Sequence, residues 1–233
     1  MCGIHSEHRH TDAVPKQARA IATRESIIDA AAEVFAARSF ASATLADVIA
    51  RAGVTQGSLY FHFASKHELA AELIREQHSR SIALPAGVDG MHAIIQVSRD
   101  LARQIQGDQV VQAGLRLSTE SVEQFPDLAK HPYEAWAEAT AALVARAIEL
   151  GELAPDLDAA AVGRVLRSSF TGIQIASRVT ADWVDLVDRL EELWRIVLPG
   201  LVAPGRLDEL LALIPVVFGG EEAPDSPHSA PRG

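Results

Sequence analysis

The sequence predicts an all-α protein with a small N-terminal helical head and a larger C-terminal helical body. Alanine and leucine are abundant among the 233 residues, whereas aromatic residues make up 5%. Apolar residues recur at intervals of three and four along most of the chain, and the alternation typical of β-strands is absent. One proline and two glycines, Pro85, Gly87 and Gly90, separate two helical regions. We therefore expect an arm at residues 1–15, a head at 16–80, a body at 81–217 and a disordered tail at 218–233.

The arm has no apolar periodicity and is predicted to be flexible. It contains Cys2 and three histidines, His5, His8 and His10. A structural zinc site needs a closed set of well-spaced ligands, which this segment does not offer. We therefore expect no metal site here, and no cofactor elsewhere in the chain.

The first helix of the head is predicted over residues 17–38. Its apolar residues fall on one stripe, as in a helix that covers a core. They are Ile27, Ile28, Ala31, Val34 and Phe35. This stripe is expected to pack against two shorter helices and so complete a three-helix core.

Residues 44–66 predict two short helices joined by a tight turn. Thr44 is a favourable N-cap for the first, and Gly53 suits the reversal after it because glycine adopts positive φ without strain. Thr55 caps a second helix over residues 56–61. Ser65 and Glu68 then form a capping box that begins a helix over residues 66–80. This arrangement is a helix-turn-helix, whose second helix inserts into the major groove of DNA.

Residues 19–77 resemble the DNA-binding domain of the tetracycline-repressor (TetR) family. The resemblance rests on the first-helix pattern ending in Phe35, on residues 44–48, on the segment GVTQGSLYFHF and on Lys66. It implies that Thr44 and Lys66 hold phosphates. It also implies that the groove is faced by Thr55, Gln56, Gly57, Ser58, Tyr60 and His62. Gln56 can pair with adenine but brings no charge, where close relatives often carry lysine.

The body is predicted to contain six helices. The first three cover residues 91–106, 109–123 and 133–150, with a loop bracketed by Pro126 and Pro132 before the third. Two long periodic helices follow over residues 159–179 and 181–198, and a weaker one over 206–217. The two long helices can bury their apolar stripes within the body or against a second copy. The TetR resemblance implies that they form the four-helix interface of a homodimer.

The negative charge of the chain is concentrated in the body. The formal net charge is −10, yet residues 1–80 carry nine basic and nine acidic residues, so residues 81–233 hold the whole excess. The acidic part would repel phosphate, so any DNA contact is expected at the N-terminal end. We expect that contact to be strongly salt-sensitive.

Other functional classes find little support in the sequence. The single cysteine excludes an intramolecular disulfide and fits a reducing compartment. No apolar run reaches the roughly 18 residues of a membrane span, so we expect a cytoplasmic protein without a membrane partner. The motifs GxSxG, GxGxxG, HExxH and the P-loop are absent, which predicts no catalytic residues and no enzyme activity.

Within the TetR family, the body resembles the γ-butyrolactone autoregulator receptors. The resemblance is carried by YFHF, by VVQAGLRLSTE at 110–120, by residues 131–153 and by FTG at 170–172. It implies a pocket tryptophan at Trp136 and polar ligand contacts at Gln77 and Thr171. The expected ligand-binding residues are Gln77, Leu115, Trp136, Thr171 and Gln174.

The resemblance implies a repressor, which is the usual role in this family. A small diffusible inducer would release it from palindromic double-stranded operator DNA. The inducer would be of butyrolactone, butenolide or furan type, and the target genes would belong to secondary metabolism. A ligand near Trp136 is expected to tilt the helix that carries Gln77. The two heads would then lose the one-turn spacing, about 34–36 Å, that two half-sites require. Two alternatives are a multidrug- or metabolite-responsive TetR-type repressor and an orphan homologue that binds DNA without a hormone.

Overall fold

The computed structural model describes residues 13–80 and 86–219, and this part of the chain is all-α, as predicted. Its described residues form ten α-helices and a short 3-10 helix at Leu198–Gly200, but no β-strand. The helices are α1 (Ala13–Ala37), α2 (Leu45–Ala52), α3 (Gln56–His62), α4 (Lys66–Arg80), α5 (Gly90–Gly107), α6 (Gln109–Glu120), α7 (Pro126–Glu149), α8 (Ala159–Ala181), α9 (Leu186–Val197) and α10 (Leu207–Phe218). Within the described ranges, none of them is long and apolar enough to span a membrane.

The helices form two compact units. The first contains the described residues up to 82 together with residues 108–131, and the second contains the described residues of 83–107 and those from 132 onward. The predicted boundary after residue 80 assigns α6 to the body. In the structure α6 packs against α1 and α4, so it belongs to the same unit as the helix-turn-helix.

The first unit is built on the predicted three-helix core, which α6 enlarges. Phe35, Leu59 and Leu73 are almost fully buried there, and α6 adds an apolar face to the same cluster. At Gly114 the helices α4 and α6 come very close. A Cβ atom at this position would lie 2.6 Å from the carbonyl oxygen of Leu73 and 2.4 Å from the Cβ of Gln77. A glycine is therefore required for this crossing.

The second unit is held together by α5, α8, α9 and α10. The helices α5, α9 and α10 pack together, and α8 packs on α9. The indole Nε1 of Trp194 donates to Ser98 Oγ at 2.8 Å, which ties α9 to α5. Arg99 on α5 donates from Nη1 to the carbonyl of Val217 on α10, at 2.6 Å. The apolar face of α9 predicted from its periodicity is thus the face that packs inward.

Two helix predictions in the body were wrong. Residues 126–132 are not a loop, because α7 begins at Pro126 and continues through Pro132. Proline is tolerated in the first helical turn, but inside a helix it removes a backbone hydrogen bond and its ring crowds the carbonyl four residues earlier, which is why Pro132 favoured a break in the prediction. The helix predicted over 181–198 begins only at Leu186, because Asp182 and Trp183 adopt φ values of 49° and 62° and end α8.

The predicted arm and tail each overlap a helix of the structure. The arm was predicted over residues 1–15, but α1 already begins at Ala13. The tail was predicted from residue 218, but Phe218 belongs to α10 and is buried. Cys2 and the three arm histidines lie outside the described residues, as do residues 81–85 and 220–233.

Candidate nucleic-acid interface and ligand cavity

Local capping sets the orientation of the helix-turn-helix. Thr44 and Asp47 form a reciprocal capping box at the start of α2, in which Thr44 Oγ1 accepts from the backbone N–H of Asp47 at 3.1 Å. Gly53 ends α2 with φ 65°, in the left-handed region. Thr55 then caps α3 by accepting the N–H of Ser58 at 3.1 Å. These three local devices fix where α3 begins.

The predicted groove-facing residues share the outer surface of α3. Thr55, Gln56, Gly57 and Tyr60 are exposed, whereas Ser58 and His62 are half-buried. Leu59 points inward and is fully buried. A Cβ atom on Gly57 would meet nothing within 4 Å, so the backbone of α3 is open to a close approach there.

Sequence reasoning missed Phe61 on this surface. Its side chain is 79% exposed, and its ring meets that of His62 edge-on with centroids 5.0 Å apart. A large apolar side chain in a helical motif is usually assigned to the core. The signal that could have revealed it is register, because Leu59 and Phe63 already fill the inner positions of this short helix.

The two predicted phosphate ligands have protein partners in the structure. The Oγ1 of Thr44 donates to Asp47 Oδ2 at 2.7 Å. The ammonium group of Lys66 donates to the carbonyl oxygens of Phe40 at 2.7 Å and Ala43 at 2.9 Å, and lies 4.6 Å from the centroid of the Phe40 ring. Both side chains therefore stabilise the junction before α2. Their phosphate contacts stay predictions.

Most arginines of the first unit are also paired with carboxylates. The pairs are Arg24–Glu72, Arg38–Asp47, Arg51–Glu33, Arg75–Glu72, Arg80–Asp108 and Arg116–Glu120. The helix α3 contains no lysine or arginine, and His62 is its one basic residue. Base reading by this surface would therefore depend on neutral hydrogen-bonding groups and aromatic rings.

The second unit contains a narrow, mostly apolar cavity of about 50 Å³. Trp136, Thr140 and Leu143 of α7 line one side of it. The other lining residues come from α5, α8 and α9: Ile94, Val97, Ser98, Leu101, Leu166, Arg167, Phe170, Leu190, Leu193 and Trp194. An apolar cavity with a few polar groups has the character of a small-molecule site.

Arg167 is the charged residue of this cavity, and sequence reasoning missed it. Its guanidinium carbon lies 4.6 Å from the centroid of the Tyr133 ring and 5.7 Å from that of Trp136. Nη1 donates to Thr171 Oγ1 at 2.9 Å. Burial lowers the pKa of the Arg167 guanidinium. The residue lies in an arginine- and serine-rich stretch, which by itself suggests an exposed helix face.

The five predicted ligand-binding residues are divided between the two units. Trp136 lines the cavity, and Thr171 touches it indirectly through Arg167. Gln174 is buried on α8 but is not a lining residue. Gln77 and Leu115 are buried in the first unit, where Gln77 packs against Gly114. The structure thus groups Trp136 and Thr171 around one site, and it places the other three outside that lining.

Two family models match this chain. The model described as bacterial regulatory proteins, tetR family, matches residues 27–73, which include α2 and α3. The model described as tetracyclin repressor-like, C-terminal domain, matches residues 88–203, which include every residue that lines the cavity. The protein therefore belongs to the TetR family of DNA-binding transcriptional regulators, which are not enzymes.

Within the TetR family, the chain is similar to several receptors and regulators. The chain is 35% identical over 190 residues to the A-factor receptor protein of Streptomyces griseus, covering 82% of this chain and 67% of that protein. A gamma-butyrolactone receptor (ArpA-like protein) of known crystal structure is 31% identical in sequence. The match covers 88% of this chain and 100% of the receptor chain, and the two superpose with a TM-score of 0.74. CprB from Streptomyces coelicolor, in complex with its biological operator sequence, is 32% identical, with coverages of 87% and 100% and a TM-score of 0.76.

Proposed function

We propose that this protein is a repressor that leaves a palindromic operator when a small diffusible autoregulator occupies the cavity of the second unit. The autoregulator would be of butyrolactone, butenolide or furan type, and the controlled genes would be those of secondary metabolism. The observation that carries the proposal is the apolar cavity lined by Trp136 in a chain with an exposed recognition helix. The similarity to the A-factor receptor and to gamma-butyrolactone receptor structures supports it.

The DNA side of the proposal uses the outer surface of α3. Gln56 would pair with a base edge, and Gly57 would let the helix backbone approach closely. The exposed rings of Tyr60 and Phe61 would offer apolar contact to thymine methyl groups. Phosphates would be held by hydroxyl groups and helix N-termini, with Thr44 and Lys66 as further candidates.

The homodimer of the proposal would use the outward face of α8. Val165 is 60% exposed and Val179 is 73% exposed, and their spacing of 14 residues places them on the same side of the helix. Gly172 lies between them, also exposed. Apolar residues exposed in a row at this spacing support a helix-to-helix contact with a second copy. Two heads would then meet two half-sites of a palindrome.

Ligand binding in this proposal is coupled to opening of the cavity. Its volume of about 50 Å³ holds a few water molecules, whereas ligand pockets measure roughly 300–1,000 Å³. An autoregulator would therefore bind an opened state better than the closed one. Such a difference in affinity is what a ligand needs to shift the protein between two states.

The small cavity also favours a second candidate, an orphan homologue that binds DNA and ignores hormones. A cavity that stays closed would have no affinity for an autoregulator. The two candidates make the same prediction for operator binding and opposite predictions for release.

The test is an anisotropy titration with a labelled duplex taken from the protein's own upstream DNA, or selected by the protein from random sequence. Synthetic butyrolactones, butenolides and furans are added to the complex at fixed salt. Release by one class at low concentration supports the hormone receptor and identifies the ligand chemistry. Persistent binding with every class supports the orphan, and release only by a panel of lipophilic drugs supports a multidrug regulator.

A matched pair of variants assigns release to the cavity. Trp136→Ala removes a lining side chain, whereas Glu138→Ala changes an exposed residue two positions later on the same helix. We expect both to bind DNA normally and only Trp136→Ala to lose ligand response. Normal release by Trp136→Ala would exclude this cavity as the effector site.

A further inference from the structure

Arg167 is a half-buried charge without a carboxylate partner. Its Nε is buried and has no hydrogen-bond partner, and none of the described ion pairs contains Arg167. By contrast, the arginines of α7 and α9, which are Arg146, Arg189 and Arg195, are each paired with an aspartate or glutamate. The contacts that Arg167 does make are to aromatic rings and one hydroxyl.

These contacts satisfy Arg167 only in part. Cation–π contacts with Tyr133 and Trp136 stabilise the guanidinium relative to purely hydrocarbon surroundings, but they do not compensate its charge. Thr171 accepts one N–H of Arg167 and gives its own proton to the backbone carbonyl of Arg167 at 3.0 Å, so it supplies a neutral acceptor but no negative charge. A buried cation usually occurs with an anion, because its desolvation is otherwise costly.

We infer that the cavity binds an amphiphilic ligand with a carboxylate head and a hydrocarbon tail, and that Arg167 is its counter-ion. The inference rests on the proposed ligand response and specifies the ligand's charge. The carboxylate would accept from Nε and the second Nη of Arg167, which form a fork that matches a carboxylate. The tail would lie against Leu143, Leu166 and Phe170, and beyond them Leu190 and Leu193.

The charge of Arg167 separates this class of ligand from neutral ones of the same size. A lactone or an ester offers carbonyl oxygens to Arg167 but leaves its charge uncompensated. A carboxylate supplies both acceptors and charge, and hydrogen bonds between ionised groups are about twice as strong as neutral ones.

The experiment compares three probes that differ at the head and share a ten-carbon acyl unit: decanoate, methyl decanoate and γ-decalactone. Binding to the full chain is measured by calorimetry and by quenching of the cavity tryptophans, below the micelle concentration. We expect decanoate to bind about 10- to 100-fold more tightly than either neutral probe, as charged hydrogen bonds in a buried site predict.

Three variants test whether Arg167 is responsible. Arg167→Met keeps the length of the side chain and removes its charge, and Arg167→Lys keeps the charge. Arg164→Met is the control, because Arg164 lies one turn earlier on α8 and is exposed. We expect Arg167→Met to lose the preference for decanoate while still binding the neutral probes. Arg167→Lys should keep part of that preference, and Arg164→Met should keep all of it. Circular dichroism and thermal unfolding verify that each variant is folded.

The outcomes separate this inference from the proposed function. If decanoate binds no better than the neutral probes, or if Arg167→Met keeps the preference, the inference is wrong even where a neutral autoregulator releases DNA. If no autoregulator, drug or probe releases DNA from the wild-type protein, the proposed ligand response itself fails. A preference for decanoate that depends on Arg167 supports the inference in either case, and release of DNA by decanoate supports both.

Discussion

At the scale of single residues, Lys66 stabilises the segment that precedes the helix-turn-helix. The ammonium group has three N–H donors, and it faces three carbonyl oxygens in the segment between α1 and α2. It also lies 4.6 Å from the centroid of the Phe40 ring, within the range of a cation–π contact. Lys66 therefore connects the start of α4 to the segment that precedes the helix-turn-helix.

We predict that Lys66→Met lowers the free energy of unfolding by about 1–3 kcal/mol, the usual cost of leaving acceptors of a charged donor unsatisfied. Urea unfolding followed by circular dichroism measures the change. Arg19→Met is the control, since Arg19 is exposed near the start of α1. Unchanged stability together with lost operator binding would instead assign Lys66 to the phosphates.

Asp47 gives the first unit a pH-dependent contribution to stability. Its hydrogen bonds with Thr44, and next its interactions with Arg38, hold the pKa of the carboxyl below the ordinary value. A depressed folded-state pKa means that the carboxylate stabilises the fold above its unfolded pKa of about 3.9, and that this stabilisation is lost as the pH falls through the folded pKa. We predict that Asp47→Asn is less stable than wild type at pH 7 and that the gap closes below about pH 4. Urea unfolding at several pH values measures it, and a gap of the same size at all pH values would contradict it.

Gln56 is predicted to supply sequence preference rather than electrostatic affinity. Gln56→Ala should weaken binding of the selected operator about 5- to 100-fold and relax the preference for adenine at one position in each half-site, while the salt slope stays unchanged. Anisotropy with single-base operator variants at two salt concentrations measures both effects. Gln109→Ala, at an exposed position on α6, serves as the control. A changed salt slope with unchanged base preference would disprove this role for Gln56.

At the scale of helices, the crossing of α4 and α6 at Gly114 is the tightest constraint in the first unit. Gly114→Ala would push a methyl group against the backbone of α4, and we predict a loss of about 1–3 kcal/mol in unfolding free energy. Gly107→Ala is the control at the end of α5, where a Cβ atom meets nothing within 4 Å. It should raise stability by up to about 1 kcal/mol, because alanine favours a helix. Equal effects of the two substitutions in urea unfolding would show that α4 and α6 can move apart freely.

Helices were predictable from the sequence where local signals define them. The bounds of α2 and α4 follow from Thr44, Gly53 and the Ser65–Glu68 capping box, all of which act within one turn. The end of α8 was not predictable, because its positive φ values at Asp182 and Trp183 accompany hydrogen bonds from the distant Gln106 to the carbonyls of Trp183 and Val184. The position of α6 in the first unit likewise depends on its packing against α1 and α4, which no local sequence pattern indicates.

The candidate site was predictable to a similar degree. The exposed surface of α3 follows from its register against the buried Leu59, and Trp136 does line a cavity. Arg167 was missed because an arginine in a helix is normally read as surface. Only the packing of α7 against α8 shows that its guanidinium lies over the rings of Tyr133 and Trp136.

At the scale of the whole molecule, the proposed homodimer makes a direct prediction. Val165→Asp combined with Val179→Asp should convert a dimer into monomers and weaken operator binding at least 100-fold, because buried unpaired charges oppose association. Val216→Asp is the control, since Val216 is also exposed but lies on α10. Sedimentation velocity and operator anisotropy measure the two effects. A double variant that remains dimeric would place the interface elsewhere.

The central claim is that a ligand in the second unit controls DNA binding by the first. The most direct measurement is operator anisotropy with the full chain during titration with butyrolactones, butenolides and furans, run in parallel on the Trp136→Ala variant. The account predicts that one class releases the wild-type protein at low concentration and fails to release the variant. Stable operator binding by the wild-type protein in the presence of every class would contradict it.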